Sequence, residues 1–250
     1  KQRKHLADEG YFVVEQALSA PEIERLTQAV DVLFAEHLAG ETKQEKEPGD
    51  CHREDRSSTL ANTIEKSDEL MVLQDHPVTF PLVLDLLGPY IILGLSETTQ
   101  KRASESTGDQ TGFIHSDGDH SLSRTWVDCN SRPLLLKIHY FLTDCSAPDM
   151  GNFAVVPGNH RRTPFWQPGE DTTPAEAGAA PLLMKAGDRA IWTHSLWHGA
   201  MPNRSTVTCK TITFGYNQMF IQVLANPPSE RLLSQCTLRQ RRSLGDFGSE

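Results

Sequence analysis

The chain lacks the features that mark several common classes of protein. It holds only five cysteines in 250 residues (Cys51, Cys129, Cys145, Cys209 and Cys236), an odd number, widely spaced and without a Cys-x-x-Cys pair. Such a set builds neither a disulfide framework nor a thiolate zinc site, and a reducing, cytoplasmic compartment is expected. Basic charge is scarce as well: the formal net charge is −9 and the pI near 5.6. Phosphate recognition needs clustered Lys and Arg, so nucleic acid is not expected as a partner. The one dense basic run, Arg239-Gln240-Arg241-Arg242, reads as the solvated face of a helical tail over 228–250. No apolar run nears the ~20 residues of a membrane span. The polar start Lys1-Gln2-Arg3-Lys4 has no apolar signal core behind it. No motif speaks to oligomeric state, and a small molecule is the substrate class left standing.

At 38% hydrophobic and 23% charged residues, the chain has enough apolar material for a sizeable core, and a single domain over 1–250 is expected. Residues 11–15 alternate like a short strand. Ser19-Ala20-Pro21-Glu22 matches a capping box, and Ile23, Leu26, Val30, Leu33 and Phe34 then recur at helical spacing. A second helical pattern runs from about Leu70 to Leu87. Between the two, residues 40–58 are polar and charged around Pro48-Gly49, a composition that cannot bury itself. That stretch is expected to be a mobile loop, read either as a bare connector or as an active-site lid. After Gly88-Pro89 the pattern turns to β. Strands are expected over Ile91–Leu95, Thr111–Asp117, Leu134–Thr143, Asn152–Val156, Leu182–Lys185, Arg189–Thr193 and Lys210–Phe220, parted by Gly, Pro and Asp turns. Helices first and strands after argue for a mainly β fold with flanking helices. The expected core is a jelly-roll, cupin-like two-sheet barrel with the N-terminal helices packed on one sheet.

Within the β region one pattern carries chemistry. Residues two apart on a strand point to one face, so His115 and Asp117 would project an imidazole and a carboxylate into the same space. His198, just past a strongly β stretch, is the candidate third ligand. Two His and one carboxylate leave coordination positions open, which suits iron(II) rather than closed structural zinc. Other candidates lie nearby. Asp119 and His120 follow Gly118, where strand facing is lost, and His194 precedes His198 at helical spacing. His139 sits inside an apolar strand and reads as a hydrogen-bonded core residue. Phe113, Trp126, Tyr140, Trp192 and Trp197 are candidates for pocket wall or core.

Taken in order, these segments resemble the phytanoyl-CoA dioxygenase family. The chain shows His115-Ser-Asp117, then Gly151-Asn-Phe-Ala-Val-Val-Pro-Gly-Asn-His160-Arg, then Ala186-Gly-Asp188, then His198-Gly-Ala-Met-Pro-Asn203, after an opening Asp8-Glu-Gly-Tyr-Phe-Val-Val. The resemblance implies a double-stranded β-helix with Fe(II) held by His115, Asp117 and His198, and with 2-oxoglutarate and O2 as co-substrates. The co-substrate would leave as succinate and CO2 while an unactivated carbon of a small organic molecule is oxidised. It implies no catalytic residue beyond the metal ligands.

One position departs from the pattern. On the strand after the distal His the family places an Arg that pairs with the far carboxylate of 2-oxoglutarate, and here that position is Cys209. A thiol cannot replace a planar, permanently charged fork. Lys137, Lys210 and Ser205 are the candidates to replace it, although alternation sends Lys210 to the face opposite Cys209. The departure keeps two other readings in play: a metal-dependent enzyme of the same fold that does not use 2-oxoglutarate, and a non-catalytic binding module.

Overall fold

Alternation on the long strands decides the architecture. The strand Leu135–Phe141 reads Leu-Leu-Lys-Ile-His-Tyr-Phe, and Leu136, Ile138 and Tyr140 on one face are all at 0% exposure. They share that face with Ile212, Phe214 and Tyr216 of the neighbouring strand Cys209–Gln218, and together join a cluster with Leu26, Val30, Phe80 and Leu87 from the helices. The other face carries Lys137, His139 and Phe141 beside Thr211 and Thr213. A strand with two unlike faces separates two environments.

The computed structural model describes residues 1–40, 51–52, 57–103, 113–117, 133–161, 173–221 and 227–248. Its strands, in chain order, are β1 Tyr11–Val14, β2 Cys51–His52, β3 Ser57–Ala61, β4 Ile91–Lys101, β5 Phe113–His115, β6 Leu135–Phe141, β7 Phe153–Val155, β8 Ala180–Pro181, β9 Arg189–Thr193, β10 His198–Ala200 and β11 Cys209–Gln218. They form a seven-stranded sheet ordered β1-β9-β6-β11-β4-β3-β2 and a four-stranded sheet ordered β5-β10-β7-β8. Every pairing is antiparallel. From β4 onward the chain passes back and forth between the sheets, the two-sheet jelly roll expected from the sequence. A second apolar cluster, with Phe141, Ala190 and Trp192 from the large sheet and Phe153 and Val155 from the small one, fills the space between them.

The helices lie against the outer face of the large sheet. Helix α2 (Ala20–Gly40) opens at Ser19, whose backbone N–H and hydroxyl both donate to Glu22 Oε2 at 2.8 and 2.5 Å. Helix α1 (Gln2–Glu9) was not signalled, because its only buried residue is Leu6. It ends at Gly10 with φ 85°, where an added Cβ would meet His160 Nδ1 and Leu196 Cδ1 at 2.7 Å, so both the turn and the close approach require glycine.

Several expected boundaries move. The helix expected over Leu70–Leu87 is split into a 3-10 turn at Asp68–Leu73 and a helix at Phe80–Leu87. Pro77 lacks an amide to continue the first, and Pro81 sits in the opening turn of the second, where a proline is tolerated. Strand β4 runs on past Leu95 to Lys101, paired with β11 throughout. The strand expected over Leu182–Lys185 is reduced to Ala180–Pro181 and a lone bridge between Cys145 and Met184, since Pro181 ends ladder pairing. Cys51–His52 and Ser57 pair at the edge of the large sheet, inside the stretch expected to be a loop. Residues 41–50 and 53–56, with the lid reading attached to them, lie outside the described residues. The tail forms two short helices, Glu230–Gln235 and Leu238–Ser243. Among the described residues no helix is long and apolar enough to cross a membrane.

Candidate metal centre

In the small sheet β10 lies between β5 and β7, with His198 directly opposite His115 on one side and Val155 on the other. Residues paired in antiparallel register project to the same face. The two imidazoles therefore stand side by side in the space between the sheets, ring centroids 4.4 Å apart. Asp117 follows two residues after His115, its backbone N–H donating to the His194 carbonyl at 3.0 Å. That bond anchors the segment beyond the end of β5. Asp117 Oδ1 lies 3.8 Å from His198 Nε2, and one ligand atom from each of His115, Asp117 and His198 falls within 4.8 Å of the others.

The protonation states favour a cation. His198 Nδ1–H donates to the Leu196 carbonyl at 2.8 Å, which leaves Nε2 with its lone pair toward Asp117. Burial holds the His198 imidazole below its usual value, against the pull of Asp117. Burial pushes the Asp117 carboxyl up, but the Lys137 ammonium and the neighbouring imidazoles outweigh it and bring the value down to about 2. Lys137 Nζ donates to Asp117 Oδ1 at 2.6 Å. Burial lowers the ammonium's pKa and Asp117 and Glu97 more than offset it, so the lysine is charged. With Oδ1 engaged, Asp117 Oδ2 is buried and has no hydrogen-bond partner among the described residues. A buried carboxylate oxygen without a donor is costly unless a cation meets it. The Nε2 of His198, the His115 imidazole and the ionised Asp117 carboxylate are a donor set that fits iron(II).

The surroundings are aromatic and dry. The Trp192 and Phe153 rings lie 5.2 and 5.6 Å from that of His198. Trp192 is 2% exposed and its indole Nε1–H finds no acceptor among the described residues, so a donor is buried close to the metal ligands. His139 stacks on Phe153 at 5.0 Å and bonds Thr213 Oγ1 at 2.8 Å. Burial first, then the neighbouring His198 and the Lys137 ammonium, hold its pKa down to about 3. It is a neutral hydrogen-bonded core residue, as read from the sequence.

The sequence candidates separate cleanly. His115, Asp117, His198 and Lys137 come together. Lys210 does not join them: it lies on the outer face, its Nζ 2.6 Å from Asp31 Oδ1 on α2. The Ser205 hydroxyl is held in its own loop, donating to Asn203 Oδ1 at 2.7 Å. Cys209 faces inward, 4% exposed, with its Sγ 3.0 Å from Cys145 Sγ. Tyr140 faces the helices and donates to Thr79 Oγ1 at 2.7 Å, so it walls no site between the sheets. Asp119, His120, Trp126 and the Phe113 side chain lie outside the described residues. Two inward residues were missed, Glu97 and Lys101, because the strand was expected to stop at Leu95; alternation carried further along β4 would have found both.

Comparison with known proteins gives the family and the fold. The family model for phytanoyl-CoA dioxygenase (PhyH) matches residues 6–209. Dioxygenase andF of Emericella variicolor is 32% identical over 99 residues, 40% of this chain and 33% of that protein, so the match spans a third of the relative's length. Among solved structures, HygX from Streptomyces hygroscopicus with nickel and 2-oxoglutarate bound superposes with a TM-score of 0.68 at 17% identity, over 90% of this chain and 88% of that one. SnoN, an α-ketoglutarate-dependent epimerase from nogalamycin biosynthesis, gives 0.65 at 19% identity, over 87% and 82%. These two likenesses establish a shared fold. With the family pattern matched from the first helix to the start of β11, the chain belongs to the phytanoyl-CoA dioxygenase family.

Proposed function

We propose that the protein is an Fe(II)- and 2-oxoglutarate-dependent dioxygenase acting on a small organic molecule, with His115, Asp117 and His198 as the iron ligands and residues 1–250 forming one domain. The observation that carries this reading is the convergence of the three ligand atoms within 4.8 Å, with Asp117 Oδ2 buried there and without a partner among the described residues. Relatives of the same fold hold 2-oxoglutarate with iron or nickel, and one carries hygromycin B as well. Iron and 2-oxoglutarate, once bound, would supply the oxidation: dioxygen is divided between the co-substrate, which leaves as succinate and CO2, and the substrate.

The chain's own residues prepare that chemistry. Lys137 fixes Asp117 by its Oδ1 and leaves Oδ2 for the metal. The Leu196 carbonyl fixes the tautomer and tilt of His198. The Trp192 indole N–H is a buried donor on a ring that lies beside His198. Phe153 and Trp192 pack beside the buried His198 and lower the dielectric around it, which strengthens its electrostatic contacts. The test is succinate formation on adding iron, ascorbate and 2-oxoglutarate in air. Release of succinate that requires both iron and 2-oxoglutarate is expected. Metal-loaded protein that forms none would overturn the reading in favour of a metal enzyme with another co-substrate or a binding module.

A further inference from the structure

Cys145 and Cys209 are 64 residues apart in the chain and meet in the core, Sγ to Sγ 3.0 Å, at 0% and 4% exposure. Both are free thiols. A disulfide is about 2.05 Å long, so the two sulfurs lie within about 1 Å of bonding distance. Among the described residues no third His, Cys, Asp or Glu joins them, and a closed thiolate zinc site is therefore not formed there. The bond between the thiols holds that of Cys145 below its usual value and, with burial, pushes that of Cys209 up, so Cys145 ionises first.

Neither backbone is loose. Cys145 forms an antiparallel bridge with Met184, its N–H donating to the Met184 carbonyl at 2.8 Å and its carbonyl accepting from the Met184 N–H at 3.2 Å. The same carbonyl accepts from Asn152 Nδ2 at 2.7 Å. Met184 follows β8 and Asn152 precedes β7, so Cys145 is tied to the small sheet. Cys209 opens β11 in the large sheet, paired with Lys101. Beside it the Lys210 carbonyl accepts from the Leu142 N–H at 3.0 Å and the Lys210 N–H donates to Thr143 Oγ1 at 2.9 Å. The backbone thus holds the thiols face to face across the barrel, and a bond between them joins one sheet to the other.

We propose that Cys145 and Cys209 are an oxidative modification site, a dithiol that hydrogen peroxide converts to a disulfide stapling the two sheets together. The Cys145 thiolate attacks one peroxide oxygen, the O–O bond breaks, hydroxide leaves and Cys145 becomes a sulfenic acid. The Cys209 sulfur then attacks the Cys145 sulfur, the S–O bond breaks and a second hydroxide leaves. The two thiol protons turn both hydroxides into water, so two thiols and one peroxide give one disulfide and two waters. The sulfurs lose the two electrons that the peroxide gains, and a thiol reductant reverses the change. None of this depends on the co-substrate reading above. In the test, wild type is treated with hydrogen peroxide, a chelator keeping free iron from the oxidant. It is then unfolded in iodoacetamide, digested and mapped by mass spectrometry. The expected product is a peptide pair joined Cys145 to Cys209, which dithiothreitol separates with return of both alkylatable thiols. The oxidised protein should melt at least about 5 °C above the reduced one, because the bridge closes a long loop of the unfolded chain. Cys209→Ser should show neither the link nor the shift. Cys145 and Cys209 both recovered alkylated, at a peroxide dose that oxidises the more exposed Cys236, overturns the proposal in wild type alone. A bridge from either cysteine to a different one in place of this pair, or a Cys145–Cys209 bridge that leaves the melting temperature unchanged, overturns it as well.

Discussion

The two faces of the large sheet are built from the same strands and do different work. On β6 and β11 the outward set is Leu136, Ile138, Tyr140, Ile212, Phe214 and Tyr216, all within 1% of full burial and packed on helices. One residue away on each strand, the inward set is Lys137, His139, Thr211 and Thr213. The outward face gains by removing apolar area from water, at roughly 25 cal/mol per Å2. The inward face loses by the same measure, because it buries an ammonium, an imidazole and, through Asp117 and Glu97, carboxylates. Stability is therefore concentrated on one face and electrostatic preparation on the other, and mutations should sort by face rather than by depth.

The largest expected loss of stability is on the outward face. Phe214→Ala should cost about 3–5 kcal/mol in urea unfolding while Fe(II) affinity of the folded fraction stays unchanged. Weakened iron binding in a folded Phe214→Ala protein would show that the faces are not separable. On the inward face, Lys137→Met leaves Asp117 buried without its cation and should destabilise the metal-free protein by about 3 kcal/mol. Fe(II) should recover most of that, and more than it adds to wild type, because in the variant the metal supplies the positive charge that Asp117 otherwise has from Lys137. A loss that iron leaves untouched would mean Lys137 serves packing instead.

A smaller effect depends on pH. His139 has its pKa lowered from the usual 6.5 to about 3, so between those values the unfolded chain binds the proton and the native chain does not. Stability then rises with pH across that window and is lost as pH falls through it. In metal-free protein the drop in unfolding free energy from pH 7 to about pH 4.5 should be about 2–3 kcal/mol smaller for His139→Phe than for wild type. Parallel pH profiles for the two proteins would contradict the neutral assignment. The smallest effect is expected outside the barrel: Lys210→Met removes a half-exposed pair with Asp31, should cost at most about 1 kcal/mol, and should leave 2-oxoglutarate affinity unaltered. Weakened 2-oxoglutarate binding in that variant would return Lys210 to the site.

Much of this was legible in the sequence, and for identifiable reasons. The two-residue spacing of His115 and Asp117 pointed to one site, although the strand ends at His115 and Asp117 is brought in by the segment after it, and the residues around His198 carry a family pattern. That Lys210 and Cys209 face opposite ways also follows from alternation. Lys137 was readable as a candidate cation for the co-substrate, but its bond to Asp117 was not, because that bond joins segments distant in the chain. Lys101 was hidden by an expected strand end at Leu95: Ser96-Glu97-Thr98-Thr99-Gln100 is polar and gives no core signal, yet it pairs with β11 along its whole length. Polar strands that line a barrel are held by ladder bonds and cross-strand contacts, which single-chain patterning does not display. The cross-strand placement of Lys101 against Cys209 is likewise a property of register.

The central claim is that His115, Asp117 and His198 form one metal site on the inward face, independent of the outward core. Its most direct test is anaerobic Fe(II) titration of wild type and of His115→Ala, Asp117→Ala and His198→Ala, with thermal unfolding of each metal-free protein alongside. The account predicts one iron per chain in wild type, binding lost or greatly weakened in all three variants, and a cooperative unfolding transition retained in each. Iron bound by any one of the three as tightly as by wild type would contradict it.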